Sequence, residues 1–183
     1  MIQYSVYESI NSVPPDWDNL VARNILLKTS YLRALEEASP SNLNLFYIGV
    51  FKDEKLVGVA LIQRVQLYLK DMFRDTKVSC FKTFLKENIS KILKGNILVV
   101  GNLTHTGQHG LFFNAEQISK TAFYDEIFKG LSEIKQLIKA KQSKTIRMIL
   151  LKDFFSEDEM LHHELFETQK LHKAIVQPNM IMQ

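Results

Sequence analysis

The sequence predicts an α/β fold, a mixed sheet flanked by helices, on three observations. Apolar segments typical of strands alternate along the chain with segments of helical periodicity. Two apolar segments, 45–51 and 56–66, are separated by the polar tetrapeptide 52–55, which is the pattern of a β-hairpin. A later segment, 115–141, has apolar residues spaced by four, three and four and precedes a short apolar run, which indicates a helix followed by a strand.

The part of the chain before the hairpin is expected to form one strand and two helices. Ile2–Tyr7 is a strand candidate, and Pro14-Pro15-Asp16 is typical of a turn that starts a short helix. Thr29 or Ser30 is expected to cap a second helix that ends before Pro40. The apolar faces of these helices are predicted from Trp17, Leu20 and Val21 and from Tyr31, Leu32, Leu35 and Ala38.

The second half of the chain continues the alternation. The long second strand of the hairpin is expected to bend or bulge near Gly58. An inserted basic helix is predicted over residues 79–94, with Gly95 after its end and a strand at 96–100. After the helix at 115–141 we expect a strand at 145–151 buried on both faces, a helix from 156 to about 170 and a strand at 173–176.

Size and composition favour one domain over residues 1–183, since there is no repeat and no Gly/Ser linker. One cysteine excludes an internal disulfide, and no apolar run reaches the roughly 20 residues of a membrane span. With no secretory leader at the start, a cytoplasmic location is expected. The net charge of +3 gives no reason to expect nucleic-acid binding, because seven basic and three acidic residues between Tyr68 and Gly95 account for it.

The element order, without the inserted basic helix, resembles that of the GNAT N-acyltransferase superfamily. The segment Lys52–Leu61 (KDEKLVGVAL) is similar to that superfamily's hairpin, in which a turn leads into an apolar strand through Val-Gly. The resemblance implies a GNAT-like fold and transfer of an acyl group from acyl-CoA or acetyl-CoA, or from another activated carrier, to a small-molecule amine acceptor.

Two further segments look more narrowly like bacterial Fem-like proteins, which are associated with peptidoglycan cross-bridge synthesis. These segments are Thr29–Glu37 (TSYLRALEE) and Gly101–Gly110 (GNLTHTGQHG). Fem-like proteins contain two GNAT-type halves, so the resemblance implies that this chain corresponds to an N-terminal half and has a second GNAT-like domain as its partner.

The segment Gly101–Gly110 is the candidate cofactor site. In the superfamily, the turn after the fourth strand receives the pyrophosphate of an acyl-CoA, because a helix N-terminus presents unpaired N–H groups and glycines let a phosphate approach the backbone. The candidate cofactor-binding residues are Gly101, Asn102, Thr104, Thr106, Gly107 and Gly110. The alternative is that the glycines only allow a turn between a strand and a helix.

His105 and His109 in the same segment are candidate catalytic residues, since a neutral imidazole can accept the proton that an attacking amine must lose. The alternative is that both histidines are solvated or structural. No third ligand has convincing spacing for a metal ion, so none is expected.

Two alternatives to catalysis remain open. Many GNAT enzymes carry a tyrosine general acid near the last helix, and the corresponding position here is Phe166, which cannot donate a proton. The chain is then a non-catalytic recognition or docking half. In the other alternative, the basic helix 79–94 makes weak contact with an anionic membrane or a partner.

Overall fold

The computed structural model describes residues 1–68, 94–105, 110–152 and 169–172. The chain divides into two compact units, Met1–Asp153 and Phe154–Gln183, and the elements named below belong to the first. The predicted basic helix 79–94 lies outside the described residues except for Lys94, and so does the predicted helix from 156 to about 170 except for its last two residues. Phe166 and the predicted strand at 173–176 also lie outside them.

Six strands form one mixed sheet with the order β1-β2-β3-β4-β6. Neighbours from β1 to β4 are antiparallel, β4 and β6 are parallel, and β5 pairs with β3 beside β4. The strands are β1 (Ile2–Tyr7), β2 (Leu43–Lys52), β3 (Lys55–Tyr68), β4 (Lys94–Val100), β5 (Leu111–Phe113) and β6 (Ile146–Leu151). The predicted α/β class with a mixed sheet is confirmed.

The hairpin β2–β3 is the predicted one. Asp53 and Glu54 have φ angles of 49° and 66°, the two consecutive left-handed residues of a tight turn that matches the twist of the strands. The register shifts between Val50 and Phe51, which leaves one extra residue, Val57, in β3 next to Gly58. The expected bulge is therefore present.

Helices α1 (Trp17–Leu20) and α2 (Thr29–Glu37) cover one face of the sheet. Trp17 is fully buried there, donates its indole N–H to the Leu27 carbonyl oxygen at 2.8 Å and packs edge-on against Tyr47. The predicted side-chain cap of α2 is wrong, because Thr29 is already helical and its N–H and hydroxyl both donate to the Asp18 carboxylate at 2.7 Å. The cap thus comes from another element, which local sequence does not reveal.

Helix α3 (Lys120–Gln142) covers the opposite face. It starts five residues later than predicted, because the N–H groups of Gln117 and Ile118 both donate to the Asn114 carbonyl oxygen and so turn the chain before the helix. Ser119 then caps the helix by accepting from the Ala122 N–H. Two close approaches bring α3 onto the sheet, between Gly58 and Phe123 and between Gly130 and Ile48.

Two predicted strands differ from the observed ones. Lys94 and Gly95, expected at the end of a helix, belong to β4 and pair with Tyr68 and Leu67. Strand β6 is not buried on both faces, since Met148 is 47% exposed and Leu150 is 37% exposed. It is the last strand in the sheet order, so one of its edges has no strand neighbour among the described residues.

Arg64 joins three elements from a buried position in β3. Its guanidinium donates to the side-chain oxygens of Asn44 in β2, Asn96 in β4 and Gln142 at the end of α3, at 2.6 to 3.1 Å. Burial lowers the pKa of Arg64 from its ordinary value, but that value is so high that the group stays charged. Three amide oxygens therefore solvate a buried cation and tie α3 to the sheet.

Within the described part of the chain, no helix has both the length and the apolar character needed to cross a bilayer.

Candidate active site

The segment Gly101–Gly110 leaves the sheet and returns to it at nearly the same point. β4 ends beside Ile62 of β3, and β5 begins beside Ala60, so the two strands follow the same edge of β3. Leu61 lies between them, where its N–H donates to the Gly110 carbonyl oxygen at 2.8 Å and its carbonyl oxygen accepts from the Gly101 N–H at 3.0 Å. Both ends of the segment, which we call the loop, therefore lie beside Leu61 and interrupt an otherwise continuous edge of β3.

Glycine is required at both ends of this loop. A Cβ atom on Gly110 would lie 2.1 Å from the Gly101 Cα atom, and Gly101 has a φ of 128° that other residues rarely adopt. The two glycines let the chain close on itself. The alternative that glycines only shape the backbone holds for this pair. The segment between Gly110 and the helix forms β5, a strand that the sequence did not predict.

The loop places His105 against α2. The Tyr31 hydroxyl and His105 Nε2 are 2.7 Å apart, and the Asn102 side-chain amide donates to the same hydroxyl oxygen at 3.2 Å. The Asn102 side-chain oxygen accepts from the Thr104 N–H and hydroxyl at 2.9 and 2.7 Å. Because a backbone N–H can only donate, these contacts fix which end of the Asn102 amide faces Tyr31.

The direction of the Tyr31–His105 hydrogen bond depends on the tautomer of His105. With the His105 hydrogen on Nδ1, Nε2 accepts the one hydrogen of the Tyr31 hydroxyl, whose oxygen also accepts from Asn102. In this tautomer one lone pair of the phenol oxygen is left to accept from a ligand.

The side chains of Lys152 and Gln63 bind the backbone of the loop through hydrogen bonds. The Lys152 ammonium, just after β6, donates to the carbonyl oxygens of Asn102 and His105. The Gln63 side-chain oxygen in β3 accepts from the Leu103 N–H at 2.8 Å. Gln63 is fully buried, and its Nε2 has no hydrogen-bond partner among the residues that the structure describes. A buried donor without a partner costs about 1–3 kcal/mol, and a hydrogen bond to a ligand or a water molecule would recover that free energy.

The sequence-predicted site residues have different surroundings. Gly101, Asn102 and Gly110 are buried at the base of the loop, whereas Thr104 and His105 are exposed. Thr106, Gly107 and His109 lie outside the described residues. Sequence reasoning assigned no role to Tyr31, Gln63 or Lys152. The signal for Gln63 was a polar residue inside an apolar strand, and Tyr31 was treated only as part of an apolar helix face.

No cluster of three or more His, Cys, Asp and Glu side chains is arranged to hold a metal ion among residues 1–68, 94–105, 110–152 and 169–172.

The chain matches no protein-family model and no curated protein. Solved structures do match it. Glucosamine-6-phosphate N-acetyltransferase from Arabidopsis thaliana aligns with a TM-score of 0.53 at 8% identity over 99% of both chains. Aminoglycoside N-acetyltransferase AAC(6')-Iy in complex with CoA aligns with a TM-score of 0.52 at 9% identity, over 100% of this chain and 95% of that chain. Aminoglycoside acetyltransferase HMB0005, from an uncultured soil metagenomic sample, has a TM-score of 0.51 at 11% identity over 100% of this chain and 99% of that one.

The fold is that of the GNAT acetyltransferases. At 8 to 11% identity the similarity shows the fold and leaves the activity of this chain to be tested. Within this GNAT fold, the Tyr31–His105 contact lies where β4 ends, on the sheet face that α1 and α2 cover.

Proposed function

We propose that this protein is an N-acyltransferase, which moves an acyl group from an activated carrier to an amine. The observation that carries the proposal is the 2.7 Å contact between the Tyr31 hydroxyl and His105 Nε2 at the end of β4. Structural similarity to N-acetyltransferases over the whole chain supports the same reaction class.

With His105 in its Nδ1–H tautomer, the Tyr31–His105 pair suits the proton transfer that the reaction needs. An attacking amine must lose a proton as its nitrogen bonds to the acyl carbon. The free lone pair of the Tyr31 oxygen accepts that proton while the tyrosine's own hydrogen passes to His105 Nε2. Tyr31 ends neutral and His105 ends protonated. Asn102 keeps the phenol in place for this relay by donating to its oxygen.

The described residues include a donor that suits an acyl carbonyl. The unpartnered Nε2 of Gln63 is a buried donor, and a carbonyl oxygen is an acceptor. An acyl-CoA, when bound, supplies a thioester that activates the acyl group, and no step of the relay above depends on its nucleotide.

Calorimetric titration tests the proposal with two kinds of donor. Acetyl-CoA and longer acyl-CoAs are compared with the acetyl thioester of N-acetylcysteamine, which lacks the nucleotide. We expect heat of binding and, with amines added, a product heavier by one acyl group in mass spectrometry. Aminoglycosides and glucosamine-6-phosphate, named in the neighbouring acetyltransferases, are the first acceptors to try. Absence of heat at millimolar concentrations of all donors, with folded protein, contradicts the proposal.

The second candidate is the narrower one, a Fem-like half-domain acting on peptidoglycan precursors in a bacterium. One observation favours it: the two segments that carry the resemblance, Thr29–Glu37 and Gly101–Gly110, touch each other through Tyr31 and His105. In this case the domain at 1–183 works beside a second GNAT-like domain as a recognition half. The downstream reading frame decides the matter, since a second β-α-β pattern supports this proposal and a stop codon opposes it.

The weak membrane contact expected for the basic helix 79–94 is a separate proposal that rests on sequence alone. Flotation with anionic liposomes tests it, and association that does not weaken with added salt counts against it.

A further inference from the structure

Among the described residues, only one end of the Gln63 side-chain amide has a hydrogen-bond partner. Its oxygen accepts from the Leu103 N–H at 2.8 Å, and since a backbone N–H can only donate, the atom facing Leu103 must be the oxygen. The opposite end, Nε2, then carries two hydrogens, and within the described part of the chain it has no partner. Gln63 is fully buried, so bulk water does not satisfy these hydrogens.

Gln63 belongs to the same cluster as Tyr31 and His105. Its register partners are Leu45 in β2 and Val99 in β4, so its side chain shares the sheet face that α1 and α2 cover. Hydrogen bonds connect Gln63 to the Asn102–Leu103 peptide, and Asn102 binds the Tyr31 hydroxyl. Leu103, whose N–H donates to the Gln63 oxygen, is itself 44% exposed.

We propose that Gln63 Nε2 binds the carbonyl oxygen of the acyl group and stabilises the charge that develops on it, an inference that rests on the proposed acyl transfer. Of the two reacting groups, an amine nucleophile and an acyl carbonyl, only the carbonyl oxygen is an acceptor that needs a donor throughout the reaction. A donor held in place in a site without bulk water needs no reorganisation when the charge forms.

The transfer then balances as follows in the site. The amine nitrogen uses its lone pair to form the C–N bond, and the carbonyl π electrons move onto the oxygen bound by Gln63. These electrons return as the bond between the carbonyl carbon and the carrier breaks, with that bond's electron pair going to the carrier. The amine's proton leaves through Tyr31 to His105.

The experiment follows the carbonyl itself, with acetyl-CoA labelled with ¹³C at the acetyl carbonyl. We expect the wild-type protein to broaden this NMR resonance and to move it downfield, because a hydrogen bond to oxygen deshields the carbon. Gln63→Glu keeps an oxygen for Leu103 and removes the NH₂ group, and Gln63→Leu removes both. In either variant the bound resonance should return to the free position, and kcat should fall about 100-fold, by a larger factor than KM rises.

The control is Gln136→Glu, the same change on the exposed side of α3, which should leave resonance and kcat at wild-type values. Thermal melting checks that the variants fold. If they do not, the side-chain NH₂ resonance of Gln63 in ¹⁵N-labelled wild-type protein gives the same information, since it must shift when acetyl-CoA is added.

Each outcome decides between the two proposals. A broadened carbonyl resonance whose position is the same in wild type and variants, or a Gln63 NH₂ resonance that does not move, overturns the role of Gln63 and leaves acyl transfer standing. No broadening with wild-type protein, either of this resonance or of the same ¹³C carbonyl in the acetyl thioester of N-acetylcysteamine, overturns both. A downfield position lost in the folded Gln63 variants and kept in Gln136→Glu supports both.

Discussion

With the His105 hydrogen on Nδ1, the Tyr31 oxygen accepts from Asn102, donates its hydrogen to His105 and keeps one lone pair for a ligand. The Tyr31 ring packs beside His105 at a centroid distance of 5.9 Å. Removing only the oxygen therefore separates chemistry from packing.

Tyr31→Phe is expected to lower the rate of acyl transfer by about 100-fold and to change stability little, because general acid–base contributions are of that size and the bond to His105 is exposed. Product formation by mass spectrometry and thermal melting measure the two effects. Tyr4→Phe in β1 is the matched control and should keep full activity. Full activity in Tyr31→Phe would remove the phenol from the proton relay.

Close contacts between elements explain why particular glycines are needed. At the base of the loop, Gly110 meets the Gly101 backbone, and on the other face of the sheet Gly58 meets the Phe123 ring. The two contacts differ physically. The backbone of Gly101 is held by a hydrogen bond to Leu61 and cannot move aside, whereas the Phe123 side chain can be shortened by substitution. Each contact gives a prediction.

Gly110→Ala is expected to destabilise the fold by about 1–3 kcal/mol, since its Cβ would lie 2.1 Å from Gly101 Cα and force the loop ends apart. Urea unfolding monitored by the fluorescence of Trp17, the single tryptophan, measures the change. Gly95→Ala in β4 is the control, because no atom of the described residues lies within 4 Å of the added Cβ, and it should be neutral or stabilise by up to about 1 kcal/mol. Equal effects of the two substitutions would contradict the loop geometry.

Gly58→Ala is expected to destabilise the protein by about 1–3 kcal/mol because its Cβ would lie 2.5 Å from Phe123. Adding Phe123→Leu should relieve the clash. The double variant should therefore lose about 0.5–3 kcal/mol less free energy of unfolding than the two single variants lose together. Urea unfolding of all four proteins gives this coupling energy. Simple additivity would mean that α3 does not pack on Gly58 as described.

At the scale of the whole molecule, the buried hydroxyl group of Tyr47 makes the free energy of unfolding depend on pH in the alkaline range. Tyr47 is fully buried and donates to the Glu36 carboxylate at 2.8 Å. Burial, and then the hydrogen bond and the charge of Glu36, raise the pKa of Tyr47 well above its ordinary value. Since the folded-state pKa is the higher one, the stabilisation is complete below about pH 10 and is lost as pH rises above that value.

Tyr47→Phe should therefore be less stable than wild type by about 1 kcal/mol at pH 8, through loss of one hydrogen bond. Between pH 10 and 11 the unfolded wild-type chain releases its tyrosine proton, so the difference should shrink by about 1 kcal/mol. Urea unfolding followed by circular dichroism at pH 8 and pH 11 measures both. A difference that stays constant with pH would show that Tyr47 ionises equally in both states.

The sequence alone determined the elements whose pattern is local. The boundaries of β1, the hairpin with its bulge and the existence of α3 follow from apolar periodicity and turn residues, and the loop Gly101–Gly110 could be singled out from its glycines and histidines. These signals are local because each depends on residues only a few positions apart in the chain.

The tertiary structure alone decided what the loop contacts. Tyr31 and His105 are 74 positions apart, and their contact depends on the register that places β4 and β5 on the same edge of β3. The cap of α2 by Asp18, the exposure of β6 and the free Nε2 of Gln63 likewise depend on neighbours from other elements. Local periodicity carries no information on such pairings, because they depend on sheet register and helix packing, which join residues far apart in the chain.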